Sequence, residues 1–246
     1  MHLSSEHYTE SFYDWQVQGA VRSARKIVPY VTELFHPQSV CDVGCGLGAW
    51  LAEFKRNGAR TVLGIDGAYI EKKNLLIAED EFRAKDIESF GFGGQRFDLV
   101  SCLEVAEHLN ENKAEALIST LASMSDIVLF SAAIPHQRGR NHVNMQWQSY
   151  WAKGFAGRGY QCHDVIRPRF WNDGEVEFWY RQNLLIYVRK EKFEGLSSTT
   201  KNALTSPGPI LDLVHPAFWE IINQERTASE QFSQIVRKIR RRFRKA

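Results

Sequence analysis

The sequence predicts an α/β protein built on a mainly parallel sheet that is covered by helices. Three observations lead to this class. Short β-rich runs alternate with helical stretches, and a glycine-rich loop, CDVGCGLGAW, follows the first of these runs. The chain has 246 residues with 43% hydrophobic side chains, which suffices for one large domain with additions but not for two full domains.

The first predicted element is a helix from about Phe12 to Leu34. Apolar residues recur there at helical spacing, at Val17, Val21, Ala24, Val28 and Val31. Pro37 follows and stops the helix. We assign residues 1–38 to an N-terminal helical lid.

Strands and helices then alternate over residues 39–190. The predicted strands read SVCDV, TVLGID, FDLVSCL, IVLFSAAI, a weaker QCHDVI, and NLLIYVRK. Helices are predicted at AWLAEFKRNG, which ends at a glycine, and at NKAEALISTLASM. We assign this region to one cofactor-binding domain.

The C-terminal residues 191–246 have a different composition. The run GLSSTTKNALTSPGPI is rich in Ser, Thr, Gly and Pro and predicts a linker, after which an amphipathic helix ends in RKIRRRFRK. Residues 237–245 hold seven of the 31 lysines and arginines. Such a basic block is typical of a solvated chain end or, as the second choice, of a segment that docks to an anionic membrane. Contact with nucleic acid is the third choice.

The sequence favours a cytoplasmic protein. No apolar run is long enough to span a membrane, and the first fifteen residues lack the basic-then-apolar order of a signal peptide. The four cysteines lack the paired spacing of a zinc knuckle, so we expect free thiols.

The glycine loop predicts an adenosine-bearing cofactor. Asp42 precedes the loop, and Asp66 ends the next strand twenty residues after Gly46, where a carboxylate can bind both ribose hydroxyls. Read as GxGxxA, the loop alone also fits a dinucleotide. Asp42 would repel a pyrophosphate but attract the sulfonium and amino group of S-adenosylmethionine, which favours the latter cofactor.

Four runs in order, VCDVGCGLG, GID, KDIESF and FDLVSCLEVAEHL, resemble motifs I to IV of class I S-adenosylmethionine-dependent methyltransferases. The resemblance covers roughly residues 39–190. It implies a Rossmann-like, seven-stranded sheet with helices on both faces, in which NLLIYVRK is the antiparallel last strand. It also implies a cofactor site formed by Asp42, Gly44, Gly46, Gly48, Asp66, Asp86, Ile87 and Leu103, with Asp66 on the ribose, Asp86 and Ile87 beside the adenine, and Leu103 with Glu104 at the methyl-transfer face.

A run of acids and a histidine, ExxEH, follows the fourth predicted strand, at the sheet edge where open α/β sheets bind ligands. His136 and His142 lie in the loop after the fifth strand. This pairing is similar to small-RNA 2′-O-methyltransferases of plants and bacteria. That similarity implies a divalent metal held by Glu104, Glu107, His108 and His142, which would help a hydroxyl to lose its proton.

The same ExxEH run also resembles the ubiquinone-pathway O-methyltransferases, in which it has no agreed metal role. The glutamates then only cap the next helix or bind water, and His142 or His136 becomes the general base. The catalytic candidates are therefore His142, His108 and His136.

Aromatic residues crowd the second half of the domain. Some of them must belong to the core, but their flat faces also suit a sugar ring or a planar acceptor. They are Trp147, Tyr150, Trp151, Trp171, Trp179 and Tyr180. The sequence thus favours methylation of a hydroxyl on a small-molecule or glycan-linked acceptor by S-adenosylmethionine. The alternatives are RNA 2′-O-methylation and a non-catalytic, cofactor-binding interaction protein.

Overall fold

A computed structural model describes residues 10–89, 94–137, 139–205, 212–224 and 227, with the backbone alone for residues 10–16. The chain divides into two units, residues 1–213 and residues 214–246. The first unit contains the sheet and all the candidate site residues. In the second unit, residues 216–224 and 227 are helical.

Seven strands form one sheet in the order β3-β2-β1-β4-β5-β7-β6. They are β1 (Ser39–Val43), β2 (Thr61–Asp66), β3 (Phe82–Ala84), β4 (Leu99–Leu103), β5 (Ile127–Ser131), β6 (Tyr160–His163) and β7 (Leu185–Arg189). The pairs from β3 to β5 are parallel, whereas β7 is antiparallel to both β5 and β6. The predicted fold class, including the antiparallel last strand, is confirmed.

Eight helices accompany this sheet in the described part of the first unit. They are α1 (Glu10–Phe35), α2 (Ala49–Arg56), α3 (Ala114–Met124), α4 (Gln148–Ala156), α5 (Ile166–Phe170), α6 (Phe178–Asn183), α7 (Lys190–Glu194) and α8 (Ser198–Leu204). Short 3-10 turns occupy Lys72–Asn74, Glu79–Glu81, Ile87–Ser89, Ala106–His108 and Glu111–Lys113.

The sheet separates two hydrophobic clusters because successive side chains of a strand point to opposite faces. In β4, Leu99 and Leu103 belong to one cluster, while Val100 and Cys102 belong to the other. Helices α1 and α2 contribute to the first cluster, and α3 and α4 to the second. Because helices cover both faces of the sheet, the side chains on both sides of its central strands are buried. These strands therefore appear in the sequence as continuous apolar runs.

Helix α1 starts and ends within two residues of the prediction. Its apolar face, Ala24, Ile27, Val28, Val31 and Leu34, is buried in the first cluster. The helix therefore contributes to the core of the same unit as the sheet. That it also closes over the cofactor, as a lid would, stays a prediction.

The structure differs from the predicted linker after residue 190. Residues 190–204 form α7 and α8, and Leu204 is fully buried, with its carbonyl oxygen 2.9 Å from Nδ1 of His163. The Ser/Thr run caps a helix here, since Oγ of Ser197 accepts a hydrogen bond from the amide of Thr200. The domain therefore extends past the predicted boundary, and the first unit ends at Leu213.

The basic block 237–245 lies outside the described residues. In the described part of the chain, no helix is both long enough and apolar enough to cross a bilayer. The cysteines Cys41, Cys45, Cys102 and Cys162 are all free, as expected.

Candidate active site

The loop between β1 and α2 has the bare backbone that its glycines predict. Gly44, Gly46 and Gly48 all have positive φ, of 83°, 52° and 82°. A Cβ on Gly44 would lie 2.2 Å from Cγ2 of Val105, so a side chain there would collide with the residue after Glu104. A Cβ on Gly46 would meet nothing within 4 Å. The backbone at Gly46 is therefore open to the close approach of a cofactor.

Asp66 lies beside this loop, at the carboxyl end of β2. Its Oδ2 accepts a hydrogen bond of 2.7 Å from the amide of Gly46, and its Oδ1 accepts one of 2.7 Å from the amide of Gly67. The hydroxyl of Tyr69 also donates to Oδ1, at 2.5 Å. The structure thus joins Asp66 to the glycine loop, as the motif order predicts, and adds Tyr69, which the sequence did not single out.

Asp42 is buried in the strand that leads into the loop, with 2% of its surface exposed. The hydroxyl of Ser101 donates to its Oδ1 at 2.7 Å. Burial raises the pKa of Asp42 to about 7, the Ser101 hydrogen bond opposes this, and the charge of Asp66 adds to it. A positive charge at this edge would favour the ionised form of Asp42, which fits a sulfonium or an ammonium group.

Asp86 and Ile87 follow β3 at the same edge. The amide of Lys85 donates to the carbonyl oxygen of Asp66 at 2.7 Å, which fixes this turn beside Asp66. Asp86 is exposed and Ile87 is half-buried. Leu103 is buried at the end of β4. Their roles beside the cofactor stay predictions.

Three of the four predicted metal ligands come together. One ligand atom each from Glu107, His108 and His142 lie within 4.8 Å of one another. The rings of His108 and His142 meet edge to face with centroids 4.8 Å apart. Glu107 is 1% exposed, and among the described residues neither of its carboxylate oxygens has a hydrogen-bond partner of normal geometry. We call these residues the Glu107 cluster.

Glu104 is not part of this cluster, which differs from the prediction. Its φ is +54°, and its carboxylate accepts hydrogen bonds from Nε2 of Gln137 at 3.0 Å and from Nδ2 of Asn183 at 3.2 Å. The Glu104 carboxylate is thus held by two amide donors, and it also interacts with the neighbouring carboxylate of Glu107. His136 is exposed and also lies outside the cluster.

The electrostatics of the Glu107 cluster favour a cation or a shared proton. Burial raises the pKa of Glu107 well above its usual range, and the charge of Glu104 adds to this. His108 is exposed as a whole residue, but local crowding of its ring and the nearby His142 lower its pKa to about 4. Burial also lowers the pKa of His142. Both imidazoles are therefore neutral near pH 7 and can act as ligands or bases.

One hydrogen bond fixes the tautomer of His142. Its Nδ1 lies 2.8 Å from the carbonyl oxygen of Gln137, and because a carbonyl only accepts, Nδ1 carries the proton. Nε2 therefore presents a lone pair. The ring lies against Gly139, where a Cβ would come within 2.2 Å of Nε2.

A family model described as "Methyltransferase domain" matches residues 13–172. The chain belongs to this methyltransferase domain family. It is 30% identical to the magnesium-protoporphyrin O-methyltransferase of Synechocystis sp. over 112 residues. The match covers 41% of this chain and 46% of the relative. It is 31% identical to the ubiquinone biosynthesis O-methyltransferase of Methylobacterium sp. over 135 residues, and this match covers 51% of each chain. The matches therefore span about half the length of these relatives.

The fold of this methyltransferase is also seen in solved structures. The crystal structure of magnesium protoporphyrin IX methyltransferase from Synechocystis PCC 6803 with bound SAH matches it with a TM-score of 0.55 and 21% identity. The match covers 76% of this chain and 90% of the other. The Rossmann-like fold predicted from the four motifs is thus shared with S-adenosylmethionine-dependent methyltransferases.

The aromatic residues predicted to face an acceptor divide into two groups in this methyltransferase. Trp151 and Tyr180 belong to the core, where Trp151 packs on Phe130 and Tyr180 packs on Trp50, each with ring centroids 5.1 Å apart. These two are therefore core residues, as some of the set had to be, and they are not available to an acceptor. The others are half-buried or exposed, namely Trp147, Tyr150, Trp171 and Trp179.

Sequence patterns did not identify several polar residues that hold the methyltransferase site together. Ser101, Gln137 and Asn183 contact Asp42 or Glu104 through side chains that are buried. Gln137 lies in the loop after β5, and Asn183 is the last residue of α6, shortly before β7. No sequence pattern singled out these side chains.

Proposed function

We propose that this methyltransferase transfers the methyl group of S-adenosylmethionine to a hydroxyl of a small-molecule or glycan-linked acceptor. The observation that carries the proposal is the Asp66 carboxylate, held 2.7 Å from the amide of Gly46 beside an open, left-handed glycine backbone. The names of the two curated relatives, both O-methyltransferases, support oxygen as the acceptor atom.

When bound, S-adenosylmethionine supplies an electrophilic methyl group, and the acceptor oxygen forms a C–O bond as the C–S bond breaks to leave a neutral thioether. Asp66 would accept hydrogen bonds from the ribose hydroxyls. Asp42 would face the positive charge of the methionyl end. The lone pair on Nε2 of His142 is the candidate to take the proton that the acceptor hydroxyl loses.

We also propose that the Glu107 cluster holds a divalent metal ion. Its donor set fits such an ion, because it combines two neutral imidazoles with a buried carboxylate whose oxygens make no hydrogen bond of normal geometry among the described residues. A metal held there would supply Lewis acidity that lowers the pKa of the acceptor hydroxyl. Without a metal, His142 is left as the general base.

The test combines cofactor binding with methyl transfer from labelled S-adenosylmethionine to a panel of phenolic, sugar and RNA 2′-hydroxyl acceptors. We expect Asp66→Ala to weaken cofactor binding by about 1.5 to 3 kcal/mol, the scale of a hydrogen bond to a charged group. Asp80→Ala, which changes an exposed acid away from the loop, is the control. Binding of NAD but not of S-adenosylmethionine would overturn the cofactor, whereas binding without transfer to any acceptor would support a non-catalytic protein.

We further propose that the protein works in the cytoplasm and that its basic block, residues 237–245, docks to anionic membrane surfaces. Seven basic residues in this segment support the proposal, since each is worth about 1 kcal/mol near an anionic bilayer. Truncation after Ser233 should abolish sedimentation with anionic vesicles and leave turnover of a soluble acceptor unchanged. Loss of RNA binding together with turnover would instead favour RNA 2′-O-methylation.

A further inference from the structure

Three buried carboxamides lie where β4, β5 and β7 meet. Gln137, Gln182 and Asn183 are 7%, 0% and 2% exposed. Oε1 of Gln137 accepts hydrogen bonds of 3.0 Å from both Nδ2 of Asn183 and Nε2 of Gln182. Burying an amide group costs free energy unless the group forms hydrogen bonds. These three side chains form hydrogen bonds with one another, which offsets that cost. We call these three residues the carboxamide network.

The network fixes which way the Gln137 side chain faces. With two donors on its Oε1, its Nε2 points to Oε2 of Glu104 at 3.0 Å. If the amide of Gln137 were flipped, its NH₂ group would face two hydrogen-bond donors, and its oxygen would face the carboxylate of Glu104. Both contacts would be unfavourable. Asn183 contributes a second donor, from Nδ2 to Oε1 of Glu104 at 3.2 Å. Each oxygen of Glu104 is therefore held by one neutral donor.

The main chain of Gln137 holds a different group. Its carbonyl oxygen accepts the Nδ1 proton of His142, which leaves the lone pair of that ring on Nε2. One residue thus contacts both Glu104, through its side chain, and His142, through its backbone. The side-chain anchors of Gln137 keep that backbone in place.

We propose that Gln137 is a positioning residue that sets Glu104 and His142 relative to each other, with Gln182 and Asn183 locking its carboxamide. In this arrangement Glu104 orients the acceptor hydroxyl by accepting its hydrogen bond, and His142 faces the same hydroxyl from the Glu107 cluster. The assignment of Glu104 and His142 to one acceptor rests on the proposed function. The inference that Gln137 fixes the tautomer of His142 does not depend on the proposed function.

The deciding variant is Gln137→Met, which keeps the volume of the side chain but removes its amide. Gln148→Met is the matched control, because Gln148 is also a buried carboxamide, and its Nε2 donates to the main-chain oxygens of Gln182 and Leu213. If Gln137→Met does not fold, Asn183→Leu removes the donors to Glu104 and Gln137 instead.

The first readout needs no catalysis. Long-range ¹H–¹⁵N NMR on chelator-treated protein at pH 8, assigned by the loss of signals in His142→Asn, reports which ring nitrogen carries the proton. We expect Nδ1–H in the wild type and in Gln148→Met, and a shift toward Nε2–H in Gln137→Met. An unchanged tautomer in Gln137→Met would overturn the proposal even if the protein proved to have no hydroxyl acceptor.

The second readout is kinetic. Gln137→Met should lower kcat about 10- to 100-fold, the usual effect of removing a partner that orients a catalytic ligand, with the Kd for S-adenosylmethionine within twofold of the wild type. Gln148→Met should change the Tm by a similar amount but leave kcat unchanged. If both variants lower kcat in proportion to their loss of stability, the carboxamide network is only a packing feature.

Discussion

The hydroxyl of Tyr69 lies 2.5 Å from Oδ1 of Asp66, the carboxylate that we assign to the ribose of S-adenosylmethionine. The Tyr69 ring also lies against Gly67, where a Cβ would come within 2.2 Å of its Cε1. Because Tyr69 is 58% exposed, its side chain has room to leave. If Asp66 binds the ribose as we propose, a ribose hydroxyl would compete with the phenol for the same carboxylate oxygen.

We therefore expect Tyr69→Phe to bind S-adenosylmethionine more tightly than the wild type. Removing one competing hydrogen bond is worth about 0.5 to 1.5 kcal/mol, or roughly a two- to tenfold lower Kd. Calorimetry measures this directly, and Tyr150→Phe, an exposed tyrosine in α4, should have no effect. Weaker binding in Tyr69→Phe would mean that the hydroxyl contacts the cofactor instead of competing with it.

The two acids of the ExxEH run should differ in metal binding. Glu107 belongs to the cluster with His108 and His142, whereas Glu104 is held by Gln137 and Asn183. Elemental analysis of purified variants should find the metal in Glu104→Gln but not in Glu107→Gln or His142→Ala, with cofactor affinity retained in all three. Equal loss of metal in both glutamate variants would show that Glu104 is also a metal ligand.

The affinity for S-adenosylmethionine should depend on pH through Asp42. Its pKa is raised to about 7 in the ligand-free protein, chiefly by burial, and a bound cation favours the ionised form. Binding therefore releases a proton from Asp42 when the pH is below about 7, and the affinity falls as the pH is lowered. Titrations between pH 5.5 and pH 8 should show this slope in the wild type, and Asp42→Asn should bind more weakly with a flatter profile. The same slope in Asp42→Asn would assign it to another group.

The stability of the first unit should fall in mild acid through His163. Burial lowers the pKa of His163, and its Nε2 is buried without a partner among the described residues. The neutral ring therefore stabilises the fold above its unfolded pKa of about 6.5, and this contribution is lost as the pH falls below that value toward the lower folded pKa. His163→Gln can keep the hydrogen bond to Leu204 but does not titrate.

Thermal unfolding between pH 7.5 and pH 5.5 checks this expectation. The Tm of the wild type should drop more than that of His163→Gln over this range. His36→Gln, which changes an exposed histidine after α1, should behave as the wild type does. Parallel profiles for the wild type and His163→Gln would show that the loss of stability in acid comes from a group other than His163.

Six of the seven strands, the glycine loop, and the positions of Asp42 and Asp66 could be read from the sequence, whereas β3 and the helices α4 to α6 were not predicted. These features depend on local rules, namely the periodicity of apolar residues, the left-handed backbone that Gly44 and Gly46 allow, and the meeting of parallel strand ends at one edge. The helix α8 could not be read in this way, because the same Ser and Thr residues serve as linker or as cap depending on what α8 packs against.

The tertiary structure decided which polar side chains meet. Glu104, Gln137 and Asn183 are far apart in sequence and come together because β7 inserts antiparallel next to β5, which places the start of β7 beside the ends of β4 and β5. That insertion directs Glu104 to the amides and leaves Glu107 to the histidines. A hydrogen bond needs its two atoms within about 3 Å, and only long-range packing sets such a distance, whereas periodicity sets only the face on which a residue lies.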